Sequence, residues 1–173
     1  MKILEGRRRF GLLCAMGTAI LCLDQWTKYL IVSRFYWGES LPIIRGYFDI
    51  TYVRNSGAAF GLLHRAPAWF RDPFFLAVPI VALVVILVIF SRLKSGQHWT
   101  AVALSLVFGG AVGNLIDRLR FRWVIDFLYF HWKEVFYWPA FNVADSCIVV
   151  GVAILFLQSF IGDQRAPKSS SNK

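Results

Sequence analysis

FFLAVPIVALVVILVIF, residues Phe74–Phe90, decides the fold. The run carries no charge, and as an α-helix rising about 1.5 Å per residue it covers about 26 Å, close to the roughly 30 Å of hydrocarbon in a bilayer. A soluble domain has no need of such a run. Three further stretches, Phe10–Val32, Trp99–Leu115 and Ala140–Ile161, have the length and composition to do the same. The chain of 173 residues is 57% apolar and fits one domain. The expected fold class is a membrane all-α core: a four-transmembrane-helix bundle with helices near 10–32, 74–90, 99–115 and 140–161.

A net charge of +9 would suggest nucleic acid in a soluble protein. Here the basic residues flank the spans, so membrane lipid with anionic headgroups is the expected partner and nucleic acid is not. Cys14, Cys22 and Cys147 all fall inside spans, which argues against a disulfide framework. Arg7-Arg8-Arg9 before an apolar run resembles a signal peptide, but no small-x-small site ends the run, so an uncleaved first helix is expected. Basic residues tie across the two sides of the membrane. The inner segments are shorter and the first helix usually dominates, which puts both termini in the cytoplasm.

The loops carry their own signals. Leu41–Val53 is rich in β-branched and aromatic residues around Gly46, which predicts two or three short strands resting outside the membrane. Asn55-Ser56-Gly57 reads as a turn, Ala58–Leu63 as the start of a short helix, and Ser91–His98 as a cytoplasmic turn. Trp69 and Phe70 beside Arg71 suit the headgroup layer. Residues 119–139 are dense in aromatics and are expected to form a lid on the membrane surface. The Ser-rich segment 163–173 is expected to be a disordered cytoplasmic tail. No internal repeat is evident.

Acidic residues inside or beside these spans need an explanation, since a carboxylate at the centre of a bilayer helix costs roughly 2.5–3.5 kcal/mol. Helical rise places Asp24 about 9 Å, Asn114 about 8 Å, Asp117 about 3 Å and Asp145 about 7 Å below the outer edge of the hydrocarbon. Three non-adjacent helices thus bring polar groups to one depth. Asn142 and Asp145 share a face at i, i+3, as do Asn114 and Asp117; Asn114 and Arg118, and Asp24 and Lys28, do so at i, i+4. Gly109…Gly113 permits close approach of a neighbouring helix. Asp126, in the aromatic segment leading back to Asp145, completes a pair.

Two neighbouring carboxylates share a proton, so one can act as general base on water while the other donates to a carbonyl oxygen. The residues alone leave this reading level with a proton or ion pathway. Asp117-Arg118 suits an ion-pair framework. Lys28 could neutralise Asp24 while snorkelling to the interface. Asn55 fits either the turn or a substrate contact. His64, His98 and His131 are scattered, with no HExxH for zinc, and neither GxSxG nor a Walker loop occurs. No metal or cofactor is expected.

Five blocks, in order, resemble the lipoprotein signal peptidases (signal peptidase II, aspartyl peptidase family A8). They are Asp24-Gln25-Trp26-Thr27-Lys28, Arg54–Phe60, Gly109–Arg118, Val124-Ile125-Asp126-Phe127 and Phe141–Ser146. The resemblance covers almost the whole chain, from about Phe10 to Ile161. It implies an extramembrane β-cradle near 34–60, a periplasmic lid, and an active site at the periplasmic face of the bacterial inner membrane. It implies an aspartyl endopeptidase that cuts prolipoproteins just before a diacylglyceryl-modified cysteine. Asp126 and Asp145 would then be catalytic. Asn55, Gly57, Asn114, Arg118 and Asn142 would hold substrate, with Asp24, Lys28 and Asp117 in support. Inhibition by globomycin and action as a monomer are further expectations. The alternative is a small proton- or ion-coupled transporter using the same aspartates.

Overall fold

The computed structural model describes residues 2–57, 66–133 and 135–163. Its elements in chain order are α1 (Lys2–Arg34), β1 (Ser40–Ile44), β2 (Phe48–Asn55), α2 (Ala68–Ser91), α3 (His98–Phe121), β3 (Val124–Trp132), β4 (Phe136–Tyr137) and α4 (Val143–Asp163). All four helices contain stretches long and apolar enough to cross a membrane. Their outward faces are apolar, with Val81 and Val84 of α2 and Val149 and Phe156 of α4 well exposed. Side chains of this kind suit lipid as the surrounding solvent.

Helix α3 is the hub, packing against α1, α2 and α4. In lipid no hydrophobic effect drives helices together, so close backbone approach has to supply the contact. The glycine-rich part of α3 does this on two sides. A Cβ on Gly110 would collide with the carbonyl of Ala144 in α4, and one on Gly113 would sit 2.6 Å from Asp24 Oδ2 of α1. The second gap is occupied by a carboxylate, so the glycine makes room for a charged group. At the other end of the bundle Leu13, Ile86, Phe90, Ala101 and Leu104 close an apolar core between α1, α2 and α3.

The four strands form one antiparallel sheet in the order β1-β2-β3-β4. β1 and β2 turn at Gly46, whose φ of +83° is open to glycine without a Cβ penalty. One side of the sheet rests on the helix ends: Tyr52, Ile125 and Phe127 pack with Ile31 of α1, and Phe121 and Val143 lie against them. β3 is also tied to the start of α4. Phe127 and Leu128 both donate their N–H groups to the Phe141 carbonyl, and Phe141 N–H returns to Leu128 (2.9, 2.8 and 3.0 Å). These bonds bring Asp126 beside the first turn of α4.

Several boundaries differ from the sequence expectation. Helix α1 begins at Lys2 rather than near Phe10, and α3 runs to Phe121 rather than to Leu115. Hydropathy marks where the apolar stretch stops, whereas good helix formers such as Lys, Glu and Arg extend the helix beyond it. α2 starts at Ala68, six residues before Phe74, directly after Pro67 with its extended backbone. α4 starts at Val143, because Phe141 is engaged by β3 and Asn142 caps the helix. Within the segment 119–139, expected as a lid, the end of α3 is followed by β3 and β4. Its β-branched and aromatic residues suit a strand, and β3 pairs with β2. The short helix expected from Ala58 and the tail after Asp163 lie outside the described residues.

Candidate active site

Two layers of polar residues meet where the sheet rests on the bundle. The lower layer centres on Lys28, which is 2% exposed. Its ammonium has three acceptors: Asp24 Oδ2 at 2.9 Å, Asp117 Oδ2 at 2.8 Å and Asn114 Oδ1 at 2.9 Å. Lys28 neutralises Asp24 as expected but does not snorkel outward. Two carboxylates inside the bundle hold it more strongly than the interface could, since burying either of them unpaired would be costly. Asp24 Oδ1 also accepts from Ala144 N–H of α4 at 2.9 Å. Asp117 Oδ2 also accepts from Ile125 N–H of β3 at 3.1 Å. Asp24 and Asp117 are thus fully engaged in joining α1, α3, α4 and β3.

The upper layer holds Asp126 and Asp145. Asn142 is the N-cap of α4: its Oδ1 accepts from Asp145 N–H at 2.9 Å, and Asp145 Oδ2 lies 3.3 Å from Asn142 N–H in return. This is a capping box with a carboxylate in the third helical position, so the cap itself fixes the Asp145 side chain. Asn142 Nδ2 donates to Asp126 Oδ1 at 2.7 Å, which makes Asn142 a direct bridge between the two carboxylates. Asn114 donates to Asp145 Oδ1 at 2.7 Å, and Asn55 donates to Asp126 Oδ2 at 2.9 Å.

Asn55 serves the turn and the carboxylate at once, since its Oδ1 takes the Gly57 N–H at 3.0 Å. Sheet register brings it there: Val53 pairs with Asp126 and Asn55 with Val124, past a register shift after Ile50. Arg118 donates to the Gly57 carbonyl at 3.1 Å and lies over the Phe75 ring at 4.6 Å.

Asp126 is 1% exposed. Its carboxyl is pushed up to about 7, first by burial away from water and next by the nearby charge of Asp145. The donors from Asn55 and Asn142 and the charge of Lys28 pull the other way and only partly offset this. Asp126 therefore changes protonation close to neutral pH, where a general acid or base works best.

Asp126 and Asp145 face a cavity of about 580 Å³. Asn55, Gly57, Asn114, Arg118, Asp126 and Asp145 form its polar wall, and Trp138, Pro139, Phe141, Ile148, Val149 and Val150 its apolar one. Val149 and Val150 also lie on the outer surface of α4, so the cavity opens along the side of the bundle.

All ten residues singled out from the sequence gather here. Two neighbours were not singled out. Phe75 supports Arg118 from the start of α2, and no pattern in the sequence marks it. Gln25 Nε2 donates to Asp117 Oδ1 at 2.9 Å. Its position three residues before Lys28, on the same helix face, was the available signal.

The class defined by this fold and site is a multi-pass membrane protein with a small sheet set over four spans and a buried polar cluster beneath it. Comparison with known proteins narrows the class. The signal peptidase (SPase) II family matches residues 16–161. The lipoprotein signal peptidase of Geobacter metallireducens is 47% identical over 163 residues, covering 94% of this chain and 97% of that one. The lipoprotein signal peptidase of Geobacter sulfurreducens is 52% identical over 145 residues, covering 84% and 89%. A solved bacterial membrane enzyme superposes with a TM-score of 0.79 at 30% identity over 94% of this chain and 95% of that one. The chain belongs to the signal peptidase II family, and is accordingly a membrane-embedded protease.

Proposed function

We propose that the protein removes signal peptides from prolipoproteins as an aspartyl endopeptidase, cutting just before the diacylglyceryl-modified cysteine. The carrying observation is that one residue, Asn142, bridges Asp126 and Asp145 at the polar wall of a largely apolar cavity: its side-chain amide donates to Asp126 and its backbone N–H faces the Asp145 carboxylate. The pair holds one proton and titrates as a unit. Its ionised member takes a proton from water, and the resulting hydroxide attacks the scissile carbonyl carbon. Its protonated member donates to the carbonyl oxygen as negative charge develops there. Collapse of the tetrahedral intermediate returns the C=O bond, breaks the C–N bond and delivers a proton to the leaving amine. One water is consumed, and the dyad ends with the single proton it began with.

Arg118, Asn55, Gly57 and Asn114 hold the substrate backbone, and Asp24, Lys28 and Asp117 fix the frame. The apolar wall beside Val149 and Val150 admits a lipid-modified segment from the side. β4 and the following residues to Phe141 act as the lid that closes over it. The protein acts as a monomer in the bacterial inner membrane, with both termini cytoplasmic, the site near the periplasmic face and globomycin as an inhibitor. A transporter reading gains nothing from a polar cluster close to one face without a repeat.

The test is cleavage of a diacylglyceryl-modified prolipoprotein by the purified protein beside Asp126→Asn and Asp145→Asn. Both variants should be inactive; full activity in either removes the dyad. Reporter fusions after Lys173 and near Gly96 test the orientation, with external signals refuting it.

A further inference from the structure

Gln25 has no role in the reaction just described, yet its amide sits at the join of the two layers. Nε2 lies 2.9 Å from Asp117 Oδ1, 3.2 Å from Asp24 Oδ2 and 3.3 Å from the Gly113 carbonyl. The shortest of these decides which oxygen of Asp117 faces which partner. With Oδ1 taken by Gln25, Oδ2 is left to Lys28 and to the N–H of Ile125. Ile125 immediately precedes Asp126 in β3, and its carbonyl lies 3.3 Å from Asn142 Nδ2. A continuous set of hydrogen bonds thus runs from Gln25 through Asp117 to the backbone that carries the reactive carboxylate.

We propose that Gln25 is a positioning residue: by holding one oxygen of Asp117 it fixes the other on Ile125 N–H, and so sets where Asp126 stands in the cavity. The inference rests on Asp126 being part of the reacting pair. The residue type follows from the charges present. Asp24 and Asp117 share the single cation Lys28, so a third carboxylate at this place would add repulsion, and an aliphatic side chain would leave Asp117 free to turn about its last torsion. A neutral amide adds two N–H donors and no charge.

The experiment uses the full-length protein in detergent with a diacylglyceryl-modified prolipoprotein, measured across pH. Gln25→Leu keeps the volume and removes the donors. Misplacing a reacting group by about 1 Å costs up to about a hundredfold in rate, so kcat should fall by about tenfold to a hundredfold, with KM and the thermal midpoint near those of the unmodified protein. Gln25→Glu should show the same loss at neutral pH. As the pH falls and the introduced carboxyl takes a proton, it regains a donor for Asp117. Its kcat relative to the unmodified protein should therefore recover, while that of Gln25→Leu stays low. Gln25→Leu with undiminished kcat at every pH would overturn the inference. So would losses in both variants that track a lowered thermal midpoint without recovery at low pH. Asp126→Asn measured alongside separates the two ideas: its activity would refute the dyad, whereas an inactive Asp126→Asn beside a fully active Gln25→Leu refutes the Gln25 role alone.

Discussion

Asp126→Asn should abolish cleavage and yet make the protein harder to unfold above neutral pH. The carboxyl is raised from an ordinary 3.8 to about 7 by burial and by Asp145. The folded state therefore binds this proton more tightly than the unfolded chain does. The stabilising contribution of Asp126 is complete below about pH 4, drains away as pH rises toward about 7, and is absent beyond that. At roughly 1.4 kcal/mol per pK unit, the ionised carboxylate costs the fold about 4 kcal/mol at pH 8 relative to its neutral form. An amide never ionises and escapes that cost. It brings a smaller one, because Asn55 and Asn142 both donate to Asp126 and only one can find an oxygen on an amide. Neither donor can turn over, since Asn55 Oδ1 is held by Gly57 and Asn142 Oδ1 by Asp145. The mismatch costs about 1–2 kcal/mol. The net gain at pH 8 is about 2–3 kcal/mol, which for a chain of this length raises the unfolding midpoint by about 4–12 °C. Near pH 4 the sign reverses and the variant should melt lower. Tryptophan-fluorescence melts of both proteins in one detergent, from about pH 4.5 to about pH 9, read this directly. A midpoint difference that does not change with pH, or that shrinks as pH rises, would refute the argument.

Further outcomes follow from the same geometry. Cleavage should decline as pH climbs through about 7, because Asp126 loses there the proton that the pair must keep; a rate flat to about pH 9 would contradict it. Lys28→Met leaves Asp24 and Asp117 buried with no ammonium between them and should cost about 3–5 kcal/mol, seen as a lowered melting midpoint or as loss of folded protein. Gly110→Ala drives a methyl into the Ala144 carbonyl and should destabilise the α3–α4 contact by about 1–3 kcal/mol. Gly17→Ala, whose Cβ would meet only Phe108 at an ordinary 3.5 Å, should stay within about 0.5 kcal/mol, and equal melting of the two variants would count against the packing argument.

Depth along a helix is legible in a sequence because the rise per residue is constant. That constancy puts Asp24, Asn114 and Asp145 at one level, and the bonds from Lys28 to Asp24 and Asn114, and from Asn114 to Asp145, join them. Direction around the helix and contacts across the chain were less legible. Lys28 could point outward or inward on the same i, i+4 spacing, and the inward choice depends on Asp117, which is brought by another helix. Asn55 reaches Asp126 across 71 positions through a β2–β3 register that includes a shift, and no local pattern encodes that pairing. The aromatic segment from Phe121 to Phe141 has the composition of an interfacial lid. What makes it a strand is the partner edge offered by β2 and the return bonds from Phe141, both non-local.

On the proposed mechanism, the division of partners between the two layers suits one pair of aspartates to the reaction and the other to the frame. Asp24 and Asp117 share Lys28, which ties both into the frame of the bundle as ion pairs. Asp126 and Asp145 are held by Asn55, Asn114, Asn142 and a backbone N–H. Amide donors fix a carboxylate in space almost as firmly as a cation does, but they add no net charge that would pin the proton count. A dyad that must accept a proton from water and pass one to a leaving group within each turnover needs this combination: rigid geometry with a free protonation state. Exchanging the roles would defeat both layers. A lysine against Asp126 would hold it ionised throughout the cycle, and asparagines in place of Lys28 would leave two buried charges without a counter-ion.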